Sequence, residues 1–285
     1  MSWLPRLAAV VAAFTLVLSG TAPASADAPR AAIQTPTTGA AVEVGVPVLF
    51  SGNAWNGEAG GIISVELSVD GGETWFEVGT KESWRYAYTP TEPGVLTVVA
   101  RSSTNSVVGP PTVARTLHVG VAGPPPPVDC NDCGFWFSSF TYPHDPDTEP
   151  VELGTRVRFD RPGLITAVSV TRGDYQGEIT ARVWSGEGDL LAEQASTATG
   201  FSTKVTLPTP VPVTAGADYV VSYYTPAGGY AASEDFFTGT VVSAPFIAPH
   251  DGVHGAGVYH YGVDGGFPTD SWHDSNYWVT PYFRG

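Results

Sequence analysis

The sequence predicts an all-β protein made of two successive sandwiches, and three observations predict it. Apolar residues recur with period two in short stretches, as in strands that bury one face. Many of the 33 glycines and 25 prolines fall between those stretches, where chain reversal needs them. No stretch carries a capped helical period, and only 14% of residues are charged, well short of what helical bundles and coiled coils use. With 42% apolar and 12% aromatic residues the chain can build packed cores, which excludes wholesale disorder. A length of 285 residues fits two domains.

The first element is a leader. Arg6 is the only charged residue before Asp27, and an apolar run from Leu7 to Leu18 follows it. The region ends in Ala24-Ser25-Ala26, a small-x-small cleavage pattern. The run is too short to span a bilayer, which takes about 20 residues. Residues 1–26 are therefore expected to be a cleaved signal peptide and the protein to be secreted. Thr21 stands where a lipoprotein would carry its Cys, and Phe283-Arg284-Gly285 ends the sequence without an apolar tail, so no membrane insertion is expected. Loss of Arg6 turns 13 basic residues into 12, against 28 acidic ones. That balance speaks against nucleic acid and anionic membranes, because phosphate-binding surfaces need clustered Lys and Arg.

Residues 27–120 alternate. Ile63, Val65, Leu67 and Val69 point one way, and Ser64, Glu66 and Ser68 the other. Val46, Val48 and Phe50 repeat the pattern, as do Trp84, Tyr86 and Tyr88, then Leu96, Val98 and Ala100. Asp70-Gly71-Gly72, Thr89-Pro90 and Glu92-Pro93-Gly94 mark turns between them. About seven short strands in this length predict an immunoglobulin-like sandwich, here without the usual inter-sheet Cys pair. Within it, residues 68–75 read S-x-D-x-G-x-T-W, in which the Asp caps a turn, the glycines supply positive φ and Trp75 packs beneath. The motif resembles the Asp-box hairpin of sialidase propellers, but it occurs once, which excludes a propeller. Residues 65–75 also resemble the immunoglobulin-like dimerisation domain of molybdenum-cofactor sulfite oxidases, over one hairpin only.

Val121-Ala122-Gly123 and the prolines 124–127 form a linker at 121–129, expected to be a short stiff spacer of polyproline II type. Cys130-Asn131-Asp132-Cys133 follows. In a cytosolic α/β protein this spacing suggests a redox site, and zinc would want two more ligands. After export, a local disulfide between Cys130 and Cys133 is the expected state.

Residues 130–285 read as a second, larger, jelly-roll-like sandwich. Its strong strands are Ile165 to Val170, Ile179 to Trp184, Phe201 to Leu207, Tyr219 to Tyr224 and Tyr277 to Phe283. Between Tyr219 and Phe283 lie 15 of the chain's 33 aromatic residues. Tyr223-Tyr224 and Tyr259-His260-Tyr261 put neighbouring rings on opposite faces of a strand, so some face away from the core. Tyr224, Tyr230, Tyr259, Tyr261 and Trp272 are the candidates for stacking on sugar rings, with packing in the core as the competing reading. In His144-Asp145-Pro146-Asp147-Thr148-Glu149 the carboxylates of Asp145, Asp147 and Glu149 are candidate ligands for a structural Ca²⁺, against a plain solvated loop. No other cofactor is implied. Neither a G-x-S-x-G elbow nor H-E-x-x-H occurs, which leaves Glu234-Asp235 as the nearest approach to a catalytic carboxylate pair.

A series of landmarks runs through the second domain: Val151-Glu152-Leu153-Gly154 ahead of the first long strand, Gly163-Leu164-Ile165-Thr166-Ala167, the run from Val183 to Ala192, and Val213-Thr214-Ala215-Gly216-Ala217-Asp218-Tyr219. The run from Ser222 to Tyr230, then Gly266-Phe267-Pro268 and Asn276-Tyr277-Trp278-Val279, completes them. In this order and spacing the chain, from Phe140 to Phe283, resembles the bacterial domain-of-unknown-function family 4082. The resemblance implies an accessory module and no established functional residues. The expected function is a secreted, non-catalytic binding or adhesion protein whose second domain holds a carbohydrate or cell-surface ligand. The alternatives are an extracellular polysaccharide hydrolase and a purely structural, self-associating protein.

Overall fold

A computed structural model describes residues 28–56, 61–62, 64–80, 82–120, 130–135 and 143–285. The expected leader (1–26) and linker (121–129) lie outside the described residues, as does Phe140. Nineteen strands and no helix occur among the described residues.

Strands β1 (Arg30–Thr35), β2 (Ala40–Val42), β3 (Val48–Trp55), β4 (Ser64–Ser68), β5 (Phe76–Gly79), β6 (Ser83–Tyr88), β7 (Gly94–Ser103) and β8 (Arg115–Val119) make the N-terminal sandwich. Its sheets run β1-β3-β6 and β2-β8-β7-β4-β5, and β2 joins β8 in parallel. Val65 and Leu67 are buried against Phe50, Trp84, Val98 and Leu117, as the alternation requires. At the Asp-box hairpin, Asp70 accepts from Ser68 Oγ at 2.6 Å and from the Glu73 and Thr74 backbone N–H groups at 3.0 Å. Trp75 closes it by donating Nε1–H to Gly72 O at 3.0 Å, and the Arg101 guanidinium lies 4.1 Å from its ring centroid.

The C-terminal sandwich contains β9 (Asn131–Gly134), β10 (Val151–Phe159), β11 (Gly163–Thr171), β12 (Ile179–Ser185), β13 (Leu190–Ser196), β14 (Ser202–Val213), β15 (Tyr219–Thr225), β16 (Val241–Ser243), β17 (Phe246–Ala248), β18 (Gly257–Tyr261) and β19 (Val279–Arg284). One sheet has seven strands in the order β13-β12-β15-β10-β17-β16, with β18 also paired to β10; the other runs β14-β11-β19-β9. Pro208, Pro210 and Pro212 sit in β14, an edge strand, where a missing N–H costs little. Between the sheets Phe159 stacks on Phe283 at 4.9 Å and Phe135 on Phe246 at 5.0 Å. Cys130 and Cys133 form the expected disulfide beside β19, where Cys133 pairs with Phe283.

The Val151-Glu152-Leu153-Gly154 landmark does not precede the first long strand but begins it: β10 is central and is bordered by β15, β17 and β18. Val151, Leu153, Val157 and Phe159 turn into the core, while the opposite face buries Glu152. Gly154 is closely covered: a Cβ there would lie 3.0 Å from Val220 and 3.2 Å from Pro268, so those side chains would have to give way.

The two sandwiches are in direct contact. Beyond the end of β1, Thr240 takes the place beside β3, donating to Pro47 O at 2.7 Å and accepting from Leu49 N–H at 2.9 Å. Thr37 N–H donates to Val242 O at 3.1 Å. Val242 packs into the N-terminal core, and Leu49 of β3 packs into the C-terminal one.

Candidate functional site

Four stretches separated in sequence meet around a cleft of about 600 Å³: 143–147, 230–234, β18 and 272–277. Val151 and Leu153 of β10 supply its apolar floor. Period two decides which rings enter. Tyr259 and Tyr261 of β18 face the cleft, while His260 between them pairs with Glu152 and turns the other way. The loop before β10 is tied to the stretch after β15 by Asp145 N–H to Tyr230 O at 2.9 Å and Ala232 N–H to Pro143 O at 3.0 Å.

The tyrosines form an edge-to-face chain. Centroid distances are 5.6 Å from Tyr261 to Tyr259, 6.2 Å from Tyr259 to Tyr277 and 6.1 Å from Tyr277 to Tyr230. Tyr230 and Tyr277 are buried; Tyr261 is 48% and Trp272 53% exposed, so these two present ring surface to solvent. Each exposed ring is pinned through its polar atom to a carboxylate. Tyr261 donates its hydroxyl to Asp147 Oδ2 at 2.6 Å, and Trp272 donates Nε1–H to Glu234 Oε1 at 3.0 Å. Trp272 also stacks on His273 at 4.2 Å, and His273 Nδ1 lies 3.2 Å from Glu234 Oε2.

The electrostatics are one-sided. Asp145, Asp147 and Glu234 line the cleft with His144, and among the described residues no Lys or Arg does. Hydrogen bonds from Trp272 and His273 hold the Glu234 carboxyl below its ordinary range, so it is an ionised acceptor at neutral pH. Burial, reinforced by the bond to Asp147, pushes the Tyr261 phenol up to about 12. Burial likewise raises Tyr230 and Tyr277, so all three remain neutral hydroxyls. The wall that carries Glu234 and Trp272 is backbone-strained: Asp235, His273, Asp274 and Trp278 have φ of 53°, 43°, 46° and 57°. Non-glycine residues in this region cost energy and concentrate where a surface must be held in one shape.

Four of the five candidate ring residues, Tyr230, Tyr259, Tyr261 and Trp272, thus share one cleft. Tyr224 stands apart on the opposite face of the sheet, where its hydroxyl accepts from Asp264 N–H at 3.2 Å and Arg182 lies 5.7 Å from its ring. Asp145 and Asp147 line the cleft but cap consecutive turns, accepting from the N–H groups of Asp147 and Glu149 at 2.9 Å each. Glu149 does not line it, and among the described residues no group of three His, Cys, Asp or Glu is gathered as a metal site. The adjacent carboxylates Glu234 and Asp235 part company: Glu234 serves the cleft, while Asp235 attracts Arg85 of the N-terminal sandwich. Tyr277 also lines the cleft, although it is not one of the five candidate rings; its place beside Trp278 in the closing motif is its signal in the sequence.

No curated protein matches the chain. Among solved structures it is similar to the fibronectin(III)-like modules of Clostridium thermocellum CbhA, with 18% identity over 31% of this chain and 93% of that one and a TM-score of 0.27. It is also similar to chicken CNTN1 FN1-FN3 domains, with 13% identity over 91% of this chain and 67% of that one and a TM-score of 0.22. Residues 29–105 match the bacterial Ig domain family. Residues 140–279, which include all the described lining residues of the cleft, match the family described as domain of unknown function (DUF4082).

Proposed function

We propose that this is a secreted binding protein whose C-terminal sandwich holds a neutral carbohydrate in the aromatic, acidic cleft. One observation carries the reading: two solvent-facing rings, Tyr261 and Trp272, are each fixed by a hydrogen bond to a cleft carboxylate. Flat rings offer stacking surface to the C–H faces of a pyranose, and the adjoining carboxylates accept from its hydroxyls. The carboxylates of Asp145, Asp147 and Glu234, with no Lys or Arg beside them among the described lining residues, disfavour acidic sugars and phosphates. The leader expected from the sequence and the Cys130–Cys133 disulfide fit an oxidising compartment outside the cytosol. Binding is better served than hydrolysis. A glycosidase needs a carboxyl kept protonated as general acid, whereas Glu234 is held ionised and Asp235 is not among the cleft's lining residues.

The test is titration of the full chain with neutral hexasaccharides of glucose, xylose, mannose and N-acetylglucosamine, with pull-down on the corresponding insoluble polymers. Trp272→Ala is expected to weaken binding at least about tenfold, the scale of a lost stacking anchor. Retention of no saccharide, or unchanged affinity in Trp272→Ala and Tyr261→Ala, would sink the reading. Hydrolysis of a labelled polymer that disappears in Glu234→Gln would replace it with the hydrolase.

A further inference from the structure

We infer that the N-terminal sandwich is part of the binding apparatus, with Arg85 a positioning residue for the cleft wall that carries Glu234 and Trp272. The inference deepens the carbohydrate reading and rests on it for its consequence, though not for its geometry. The connecting element is the stretch 233–242. At its start Ser233 and Asn276 exchange backbone hydrogen bonds at 3.0 and 2.9 Å, and Asp235 N–H donates to His273 O at 2.7 Å. Phe236 and Phe237 N–H both donate to Asp274 O, at 3.1 and 2.8 Å. These bonds lock the stretch to the strained segment 272–276 that presents Trp272 to the cleft.

At its far end the same stretch is anchored in the other sandwich. Thr240 pairs with Pro47 and Leu49, and Val242 enters the N-terminal core. Gly239 lets the backbones approach: a Cβ there would lie 3.0 Å from Leu49 N and 3.1 Å from Val48 C. Midway, the Arg85 guanidinium of β6 lies 4.5 Å from the Phe236 ring centroid and donates Nη1–H to Phe236 O at 3.4 Å. Asp235, whose carboxylate attracts Arg85, is the direct neighbour of Glu234. A cation over a ring, a bond to the backbone of that same residue and an attraction to the one before it fix the stretch at the point where it must hold left-handed φ. Removing Arg85 takes away the ring contact, the backbone bond and the attraction together, and the wall is then free to relax.

The experiment is hydrogen exchange on the ligand-free full chain, comparing wild type, Arg85→Ala, Arg85→Lys and Gly239→Val. In Arg85→Ala and Gly239→Val, amides of 234–237 and 273–276 are expected to exchange about tenfold faster, as in local opening. Amides of Asp145 and Asp147 on the opposite wall, and of 148–149 beyond it, should not change. Arg85→Lys, which keeps the charge over the ring, should restore most of the protection. Unchanged exchange in Arg85→Ala, or acceleration spread equally over 145–149, would overturn the positioning role. Titration with the tightest-binding hexasaccharide supplies the second arm, in which Arg85→Ala should lower affinity several-fold. If wild type binds no saccharide, the carbohydrate reading falls and exchange alone decides the coupling. Tight binding by Arg85→Ala with wild-type exchange leaves the carbohydrate reading standing and removes the coupling.

Discussion

Glu152 is the residue where burial and chemistry conflict most. It is wholly buried near the start of β10, accepts from Ser222 Oγ at 2.5 Å and pairs with Arg182. Trp184 braces the site by donating Nε1–H to Ser222 Oγ at 2.8 Å. Burial nevertheless outweighs these donors and pushes the carboxyl up to about 7 from 4.5. The folded state therefore holds a proton that the unfolded state has released between those two values. Stability from this group is complete below the unfolded value and is lost as pH rises through the folded one. Glu152→Gln, which keeps the shape and removes the titration, should match wild type near pH 4. Above pH 7 it should gain on wild type by an amount of order 3 kcal/mol. Denaturant melts across that range check the difference, and parallel pH profiles for the two proteins would contradict it. Because Glu152 lies on the face of β10 opposite the cleft floor, saccharide binding should not follow this titration.

At the scale of single elements, the Asp-box hairpin and β10 show what a sequence does and does not disclose. The hairpin was legible because all its partners lie within a few residues: Asp70 reaches Ser68, Glu73 and Thr74. Those hydrogen bonds hold the Asp70 carboxyl far below its ordinary range. The stabilisation is present above the usual carboxylate range and is lost only as pH falls through the depressed folded value. Asp70→Ala should thus lower the melting temperature at pH 7 and speed exchange at 71–76. A hairpin that keeps its protection in that variant would show the cap to be dispensable. β10 was harder. Its alternation of Val151, Leu153, Val157 and Phe159 is regular, but Glu152, Gly154, Arg156 and Arg158 between them look like a solvated face or a turn. In the fold Glu152 and Gly154 are buried while Arg156 and Arg158 stay partly exposed, a division that the alternation does not show. The cleft was half legible for a related reason. Period two separates Tyr259 and Tyr261 from His260, yet which face is open depends on strands distant in sequence. Tyr224 and Tyr230 looked equivalent, and the sheet places them on different faces.

For the whole molecule, the contact between the sandwiches was the least legible feature, because proline runs suggest separation and Val241-Val242-Ser243 reads as any short strand. Its consequence is energetic. Val242 fills the N-terminal core and Leu49 the C-terminal one, so each sandwich completes the other's packing. Thr240 also satisfies the Leu49 N–H that β1 leaves behind where it ends. Residues 28–120 alone should expose Leu49, lose Val242 and leave backbone groups of Pro47 and Leu49 to water. Burial of a side chain of this size is worth about 1.5–3 kcal/mol, a large share of the stability of a domain under 100 residues. The isolated fragment should therefore melt well below the temperature at which β3 and β6 lose protection in the full chain. Val242→Ala in the full chain should lower that same temperature although the residue lies in the other sandwich. Calorimetry with exchange measured on 48–55 and 83–88 tests both. If the fragment melts where the full chain does and Val242→Ala leaves those strands unchanged, the sandwiches are neighbours without shared stability. If both fall, the protein unfolds as one body, and changes at the N-terminal surface facing 236–242 reach the cleft by the same packing.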